Sequence, residues 1–200
     1  MTDSYLDQEL RRFLDLVAAR EPAPGGGSAA AITVSLAAGL VAMAARYSSQ
    51  QLPHSEEVVA DAERVRRRAA ELADADAQAY GAVIAARRAT RTGDAADRRE
   101  RVRATLEAAS LVPLEVAELG AETARLALLV VADGNPTLRG DAATAALLAE
   151  AAARSAAHLV ALNLAGRDDE LRHRAARSTH LAAEAVRGVE EALLGDGADA

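Results

Sequence analysis

The chain has 200 residues, a length that suits a single domain with a sizeable core. Its hydrophobic fraction of 50% rests largely on alanine and its aromatic fraction is 2%, a composition that favours closely packed helices over strands. The net charge of -7 disfavours a nucleic-acid-binding protein, and the absence of cysteine and lysine excludes disulfides, thiolate nucleophiles, Schiff bases and a Walker A lysine.

Long helices separated by short breaks account for the whole chain. Pro22 and Pro24 end the first helix, and the turn signals at 92–94 and 133–136 end two later ones. No strand-like alternation or interdomain linker is visible, so residues 1–194 are predicted to form one all-α domain and residues 195–200 a frayed tail. The predicted helices are 3–20, 28–49, 56–90, 95–132 with a kink or interruption at Pro113, 140–166 and 168–194.

The segment 28–45 carries no charge over 18 residues, which is close to the length of a membrane span. Its residues are mostly small, Thr33 and Ser35 lie inside it, and no aromatic belt flanks it, so a buried central helix of a bundle is favoured. Such a helix has more apolar surface than one thin bundle buries, which predicts a two-fold homodimer. No secretory signal precedes it, so a cytoplasmic protein without a membrane partner is expected.

A glycine-rich loop, "EPAPGGGSAAA" at 21–31, stands directly before this apolar helix. With Ser28 as the predicted N-cap, free N–H groups and the helix dipole here would bind a phosphate, a carboxylate or an electron-rich carbonyl. Neither the dinucleotide-binding fingerprint nor the P-loop motif is matched. A tight interhelical turn with close backbone packing explains three glycines equally well.

Two acidic residues are candidates for chemistry. Asp141 falls in the first turn of its helix if Gly140 is the cap, where a carboxylate is also ordinary helix chemistry. Asp76 and Tyr80 are four residues apart and share a helix face, so they would line a pocket together, although such an aspartate is often simply exposed.

The four histidines show no metal-ligand spacing, and no metal is predicted. His158 is the best acid–base candidate among them because its helix also carries Asp141. The four are His54, His158, His173 and His180.

Four stretches resemble the cyclodeaminase/cyclohydrolase family in order, from about Leu10 to Leu164: "EPAPGGGSAAAITVSLAAGLVAMAARYS", "DAQAYGAVIAA", "SLVPLEVAE" and "DGNPTLRGDAATAALLAEAA…LNL". The resemblance implies an all-helical homodimer that binds a tetrahydrofolate derivative as substrate, without a metal. It implies either hydrolysis of 5,10-methenyltetrahydrofolate to 10-formyltetrahydrofolate or cyclisation of formiminotetrahydrofolate with release of ammonia.

The resemblance also implies a set of site residues. The methenyl carbon is cationic, so Asp141 or Asp76 would stabilise that charge and accept a proton from the attacking water. Arginines would bind the glutamate carboxylates of folate, and the candidates are Arg46, Arg87, Arg88 and Arg139. The remaining positions carried over from the family motifs are Pro24, Gly25, Gly26, Gly27, Ser28, Tyr80 and Asn135.

Two positions depart from the family pattern. Gly140 stands where a serine is usual, and Leu159 stands where an asparagine is usual. These departures support an alternative, in which the chain is a non-catalytic helical dimer that binds folate or a protein partner. Between the two enzymes, the cyclohydrolase ranks slightly first because no formiminotransferase domain accompanies the chain.

Overall fold

A computed structural model describes residues 4–89, 95–167 and 169–195. Within these residues the secondary structure is entirely helical, as the composition predicts. The α-helices are α1 (Leu10–Ala18), α2 (Gly26–Arg46), α3 (Ser55–Ala89), α4 (Ala95–Asp133), α5 (Arg139–Asn163) and α6 (Glu170–Gly195). Short 3₁₀ turns occupy Tyr5–Asp7 and Pro136–Leu138. The predicted turn at 92–94 and tail at 196–200 lie outside the described residues.

The first predicted helix is divided in two. Gln8 and Glu9 have extended backbone angles, so the turn at Tyr5–Asp7 is separate from α1. The turn is attached to α3 instead, because the Ser4 hydroxyl and the Tyr5 N–H both donate to the Asp74 carboxylate, at 2.5 Å and 2.9 Å. Phe13 of α1 packs edge-on against Tyr5, with ring centroids 5.7 Å apart. Side-chain contacts from α3 therefore override the local helical periodicity here.

The apolar helix α2 begins two residues earlier than predicted. Gly25 is its N-cap and Gly26 its first residue, so the assignment of Ser28 as the N-cap is wrong. Ser28 is instead fully buried inside the first turn. Gly140 is likewise not a cap, since Leu138 caps α5 and Gly140 is its second residue.

Helix α4 continues through Pro113 without the interruption predicted there as one alternative. It packs against α2, α3, α5 and α6 and is the central support of the bundle. Small residues bring α4 and α5 together: a Cβ added to Gly120 would lie 2.9 Å from the Ala149 carbonyl oxygen and 3.0 Å from Ala153 Cβ. The alanine-rich sequence therefore allows close helix packing, as expected from its composition.

Helices α2 and α5 are antiparallel neighbours, with α2 between α3 and α5. The start of α2 and the end of α5 line one cavity. At the other end, the Asn135 N–H donates to Ser48 Oγ at 2.9 Å, which joins the start of α5 to the end of α2. Since α2 has 21 residues, these two ends lie about 30 Å apart.

Among the described residues, two helical segments are long and apolar enough to cross a membrane by length and composition alone: Gly26–Arg46 and Pro136–Asn163. In the first of them, 56% of the apolar window is buried inside the bundle. Val34, Ala38 and Val41 of α2 are fully buried. The prediction of a buried alanine-rich helix is therefore confirmed for the inward side of α2.

Candidate active site

A cavity of about 300 Å³ lies where the start of α2 meets the middle of α3, α4 and the end of α5. It brings together the glycine loop and the face of α3 that carries Asp76 and Tyr80. Its lining residues are Pro22, Ala23, Gly25, Gly26, Gly27, Asp76, Ala79, Tyr80, Val83, Arg87, Leu106, Ala109, Pro113, Leu159 and Asn163.

The Asp76 carboxylate is held against the first turn of α2. Ser28 N–H donates to Asp76 Oδ2 at 2.9 Å. The Ser28 hydroxyl donates to the Ala73 carbonyl oxygen at 2.8 Å and lies 3.2 Å from the same Oδ2. Burial raises the pKa of Asp76, and the hydrogen bonds from Ser28 oppose that rise in part. Such a carboxyl group is suited to exchanging a proton with a bound molecule at a higher pH than an exposed aspartate.

The third glycine of the loop is required by this carboxylate. A Cβ added to Gly27 would lie 2.0 Å from Asp76 Oδ1 and 2.4 Å from its Cγ, distances that no side chain tolerates. Gly25 and Gly26 differ, because a Cβ at either position would meet no atom of the described residues within 4 Å. Gly27 therefore leaves room for the Asp76 carboxylate. All three glycines line the cavity, where the first-turn N–H groups of α2 lack partners within the helix.

Of the remaining predicted residues in the loop and in α3, some line the cavity and others lie outside it. Tyr80 lines the cavity and is 46% exposed. Pro24 and Ser28 are buried and do not line it, so Ser28 acts on the site by holding Asp76. Arg88 is exposed and lies outside the lining, whereas its neighbour Arg87 is part of it.

The predicted residues around the start of α5 lie at the opposite end of α2 in the same chain. Asn135 has a structural role there: its side-chain oxygen accepts the Thr137 N–H at 3.0 Å and its Nδ2 donates to the Tyr47 carbonyl oxygen at 3.3 Å. Arg46 pairs with Glu63 at 2.8 Å. Asp141 is exposed in the first turn of α5, and Arg139 directly precedes Gly140. About 30 Å separates this group from Asp76.

His158 does not line the cavity that holds Asp76. It is exposed and borders an open groove of about 980 Å³ between α5 and α6, together with His173 and His180. Asp141 and His158 are 17 positions apart, which corresponds to about 25 Å along α5. His158 and Asp141 therefore share a helix, as predicted, but lie far apart within one chain.

The larger groove is less suited to a reaction than the smaller cavity, because charged side chains that line it are already held in ion pairs. Its arginines are occupied by the protein: Arg154 pairs with Glu150 at 3.3 Å, and Arg167 pairs with Glu107 and Asp169 at 3.0 and 2.8 Å. The cavity combines a half-buried carboxyl group with the first turn of α2, whose N–H groups have no partner within the helix. In the described ranges, no group of three or more histidine, aspartate or glutamate side chains is arranged to hold a metal ion.

Sequence reasoning missed several lining residues, including Val83 and Asn163. Positions 76, 80, 83 and 87 recur at four-, three- and four-residue spacing, so extending the face defined by Asp76 and Tyr80 would have selected Arg87 over Arg88. Leu159, the departure from the family pattern, lines the cavity one helical turn before Asn163. An amide is therefore present on this wall although Leu159 does not supply it.

The comparisons with known proteins agree with this architecture. The family model described as formiminotransferase-cyclodeaminase matches residues 9–181. A methenyltetrahydrofolate cyclohydrolase from Methylorubrum extorquens is 33% identical over 171 residues, which are 82% of this chain and 82% of that protein. A formimidoyltransferase-cyclodeaminase from Rattus norvegicus is 31% identical over 84% of this chain but only 32% of its own length.

The fold is shared with a solved structure. The crystal structure of formiminotetrahydrofolate cyclodeaminase from Thermotoga maritima matches with a TM-score of 0.81 and 24% identity, covering 95% of this chain and 98% of that one. The family match spans both the glycine loop and α5. The chain therefore belongs to the formiminotransferase-cyclodeaminase family.

Proposed function

We propose that this chain is an enzyme of folate one-carbon metabolism whose reaction takes place in the cavity beside Asp76. The observation that carries the proposal is the Asp76 carboxylate seated over Gly27 at the positive end of α2. Family membership supplies the substrate class, since the relatives are named for methenyl- and formimino-derivatives of tetrahydrofolate. The substrate is then a tetrahydrofolate derivative, and the residues of the cavity carry out the reaction without a metal.

The first reaction is hydrolysis of 5,10-methenyltetrahydrofolate to 10-formyltetrahydrofolate. The methenyl carbon bridges two nitrogens and carries a delocalised positive charge, which the Asp76 carboxylate stabilises. Asp76 takes a proton from water as the water oxygen bonds to that carbon. Asp76 returns this proton to N5 as the bond from the carbon to N5 breaks, and the hydroxyl group of the adduct releases its own proton to solvent, which leaves the formyl group on N10. Because burial raises its pKa, Asp76 can return the proton at a higher pH than an exposed aspartate.

The second reaction is cyclisation of formiminotetrahydrofolate. N10 attacks the formimino carbon and releases its own proton to solvent, and a protonated Asp76 supplies the proton with which ammonia departs. We rank hydrolysis first because the cyclohydrolase relative is 33% identical over 82% of its length, whereas the cyclodeaminase that is matched over 98% of its length is 24% identical. We also propose that the active form is a two-fold homodimer, because the outward side of α2 is exposed in the single chain, where Leu36 is 62% exposed. The proposed location is the cytoplasm.

The two reactions are separated by assaying purified protein with each substrate. Hydrolysis is followed by the loss of methenyltetrahydrofolate absorbance, and cyclisation by ammonia release from formiminotetrahydrofolate. Asp76→Asn should lower the rate of the active reaction by roughly 10²- to 10⁴-fold, because the variant cannot transfer a proton. The matched control is Asp74→Asn, which changes a carboxylate that contacts Ser4 and Tyr5 outside the cavity.

The control should keep a rate close to that of the wild type. Equal rates for Asp76→Asn and wild-type protein would remove Asp76 from the mechanism. Binding of methenyltetrahydrofolate by the wild type without any turnover of either substrate would instead support the non-catalytic folate-binding dimer, which the departures at Gly140 and Leu159 favour.

A further inference from the structure

The end of α5 presents to the cavity an amide group that has no partner in the protein. The chain has two asparagines, Asn135 and Asn163. The side chain of Asn135 bonds to Thr137 and Tyr47, whereas the side chain of Asn163 makes no hydrogen bond to any residue that the structure describes. Asn163 is half-buried and lines the cavity that holds Asp76. An amide in such a place gains a partner only from water or from a bound molecule.

The geometry of the helix end does not explain an asparagine at this position. Asparagine often occurs just after a helix because it tolerates the left-handed conformation, but here Gly166 adopts that conformation, with φ of 78°. Asn163 lies inside α5 between the buried residues Val160 and Leu164, which belong to a small apolar cluster. These contacts fix the backbone on both sides of Asn163, so its side chain enters the cavity from a rigid element.

The walls that α4 and α5 contribute to the cavity are otherwise apolar. Their lining residues are Leu106, Ala109 and Pro113 of α4 and Leu159 of α5, which stands one turn, about 6 Å, before Asn163. A flat ring with apolar faces fits between such walls, and a single polar group at its edge determines how the ring is turned. Leaving that group without a partner is more costly here than at an open surface.

The cavity holds one end of an extended folate molecule. Its volume of about 300 Å³ is at the lower limit of small-molecule sites, which range from about 300 to 1,000 Å³. Folate consists of a flat pterin head, an aminobenzoyl group and a glutamate tail, and the reacting carbon joins N5 of the head to N10 of the aminobenzoyl part. Two orientations therefore bring the reacting carbon to Asp76: one with the head inside the cavity and one with the tail inside.

The charges of the cavity favour the orientation with the head inside. The described lining residues include two with charged side chains, Asp76 and Arg87. The Asp76 carboxylate already occupies the positive end of α2, where it accepts the Ser28 N–H at 2.9 Å. Arg87 is exposed and comes 11 positions after Asp76, about 16 Å along α3. The tail carboxylates are repelled by Asp76 and attracted by Arg87, so the tail points outward.

The pterin head offers the partner that the Asn163 amide lacks. Its N3–H donor and its O4 acceptor lie side by side, and a carboxamide presents an acceptor and a donor at the same spacing. The Asn163 oxygen then accepts the N3–H, and its NH₂ group donates to O4. The amide that joins the aminobenzoyl group to glutamate has its N–H and C=O on opposite sides, because it is trans. That amide therefore cannot satisfy both groups of Asn163 at once.

We propose that Asn163 recognises the pterin head of the substrate through the N3–H and O4 edge, and thereby fixes the orientation in which the reacting carbon meets Asp76. This role rests on the proposed function, because it requires a folate in this cavity. Asn163 takes no part in proton transfer. It determines specificity, since a ring without this donor and acceptor pair leaves the amide unpaired.

Binding of the two halves of folate tests the orientation without any turnover. The probes are 5-formyltetrahydrofolate, 6-methyltetrahydropterin for the head and p-aminobenzoylglutamate for the tail. Asn163→Leu removes the amide at nearly constant size and should weaken binding of the first two by about 10- to 100-fold, with unchanged affinity for the third. The matched control is Gln78→Leu, which removes a carboxamide from α3 outside the cavity and should bind all three like the wild type.

Two further measurements separate recognition from a structural role and identify the edge. Asn163→Leu should unfold at the same urea concentration as the wild type, because it loses no hydrogen bond to a described residue. Asn163→Asp should bind 5-formyltetrahydrofolate more weakly than the wild type, because a carboxylate repels O4. Equal or tighter binding would mean that residue 163 faces two donors, such as N3–H and the 2-amino group, and would overturn the proposed pairing.

Other results overturn the proposal while the proposed function stands. Equal affinity of Asn163→Leu and the wild type for 5-formyltetrahydrofolate would make Asn163 a solvated amide. Weakened binding of p-aminobenzoylglutamate alone, or a wild type that binds 5-formyltetrahydrofolate but no head fragment at millimolar concentration, would place the tail inside. A lowered urea midpoint with equal losses for all three probes would indicate a structural role. A wild type that binds none of the probes and turns over neither substrate would defeat the proposed function and this proposal together.

Discussion

At the scale of single residues, the protonation of Asp76 links the stability of the protein to its proposed chemistry. Burial raises the pKa of this carboxyl group in the folded chain above the value of 3.8 for an unperturbed aspartate. The neutral form is therefore favoured by folding. The stability that this group contributes is fully present below the unfolded pKa and is lost as the pH rises through the folded pKa.

Asp76→Asn provides a test because asparagine does not titrate and still offers an oxygen to Ser28. The free energy of unfolding of this variant minus that of the wild type should increase as the pH is raised from about 4.5 to about 8, because only the wild type loses the contribution of Asp76. Urea denaturation of both proteins across this range measures the difference. A difference that is constant or that falls with pH would mean that the folded chain does not raise the pKa of Asp76.

At the scale of helices, the contact of α2 with α3 depends on one glycine. Gly27→Ala would place a methyl group on the Asp76 carboxylate and force it away from Ser28. Loss of these hydrogen bonds and the crowding should destabilise the protein by about 1–3 kcal/mol, with loss of turnover. Gly26→Ala is the matched control: its Cβ meets no described atom within 4 Å, and alanine in a helix is favoured over glycine by up to about 1 kcal/mol.

Urea denaturation of the two variants gives the comparison directly. Gly27→Ala should unfold at a lower urea concentration than the wild type, and Gly26→Ala at an equal or higher concentration. If both alanines are tolerated equally, Asp76 is not held against α2 in solution as it is in the structure.

The helices themselves were largely predictable from sequence. Proline and glycine breaks fixed most helix ends to within a few residues, because those residues act through local backbone geometry. The exceptions involve distant partners: Asp74 holds the Tyr5–Asp7 turn apart from α1, and Asp76 occupies the space over Gly27. Such contacts join residues about 50–70 positions apart, and periodicity carries no information about them.

The candidate site was predictable only in part. The shared face of Asp76 and Tyr80 follows from helical spacing, and both residues line the cavity. The location of Asp141 does not follow, because the antiparallel packing of α2 and α5 depends on tertiary contacts. The role of Asp76 is a prediction, which the rate of Asp76→Asn tests.

At the scale of the whole molecule, the central claim is that folate reacts in the cavity of about 300 Å³ and not in the larger groove between α5 and α6. The chain offers a matched pair of alanines for this question. Ala79 of α3 lines the cavity, Ala161 of α5 lines the groove, and both are partly exposed, so a larger side chain at either position projects into open space.

The most direct test is the affinity of the purified variants Ala79→Leu and Ala161→Leu for methenyltetrahydrofolate, with helix content measured by circular dichroism. Ala79→Leu should weaken binding at least about tenfold, because the added side chain fills a pocket that must enclose the ligand. Ala161→Leu should bind like the wild type. Unchanged affinity in folded Ala79→Leu, together with weakened binding in Ala161→Leu, would place the folate site in the groove and contradict the account of Asp76.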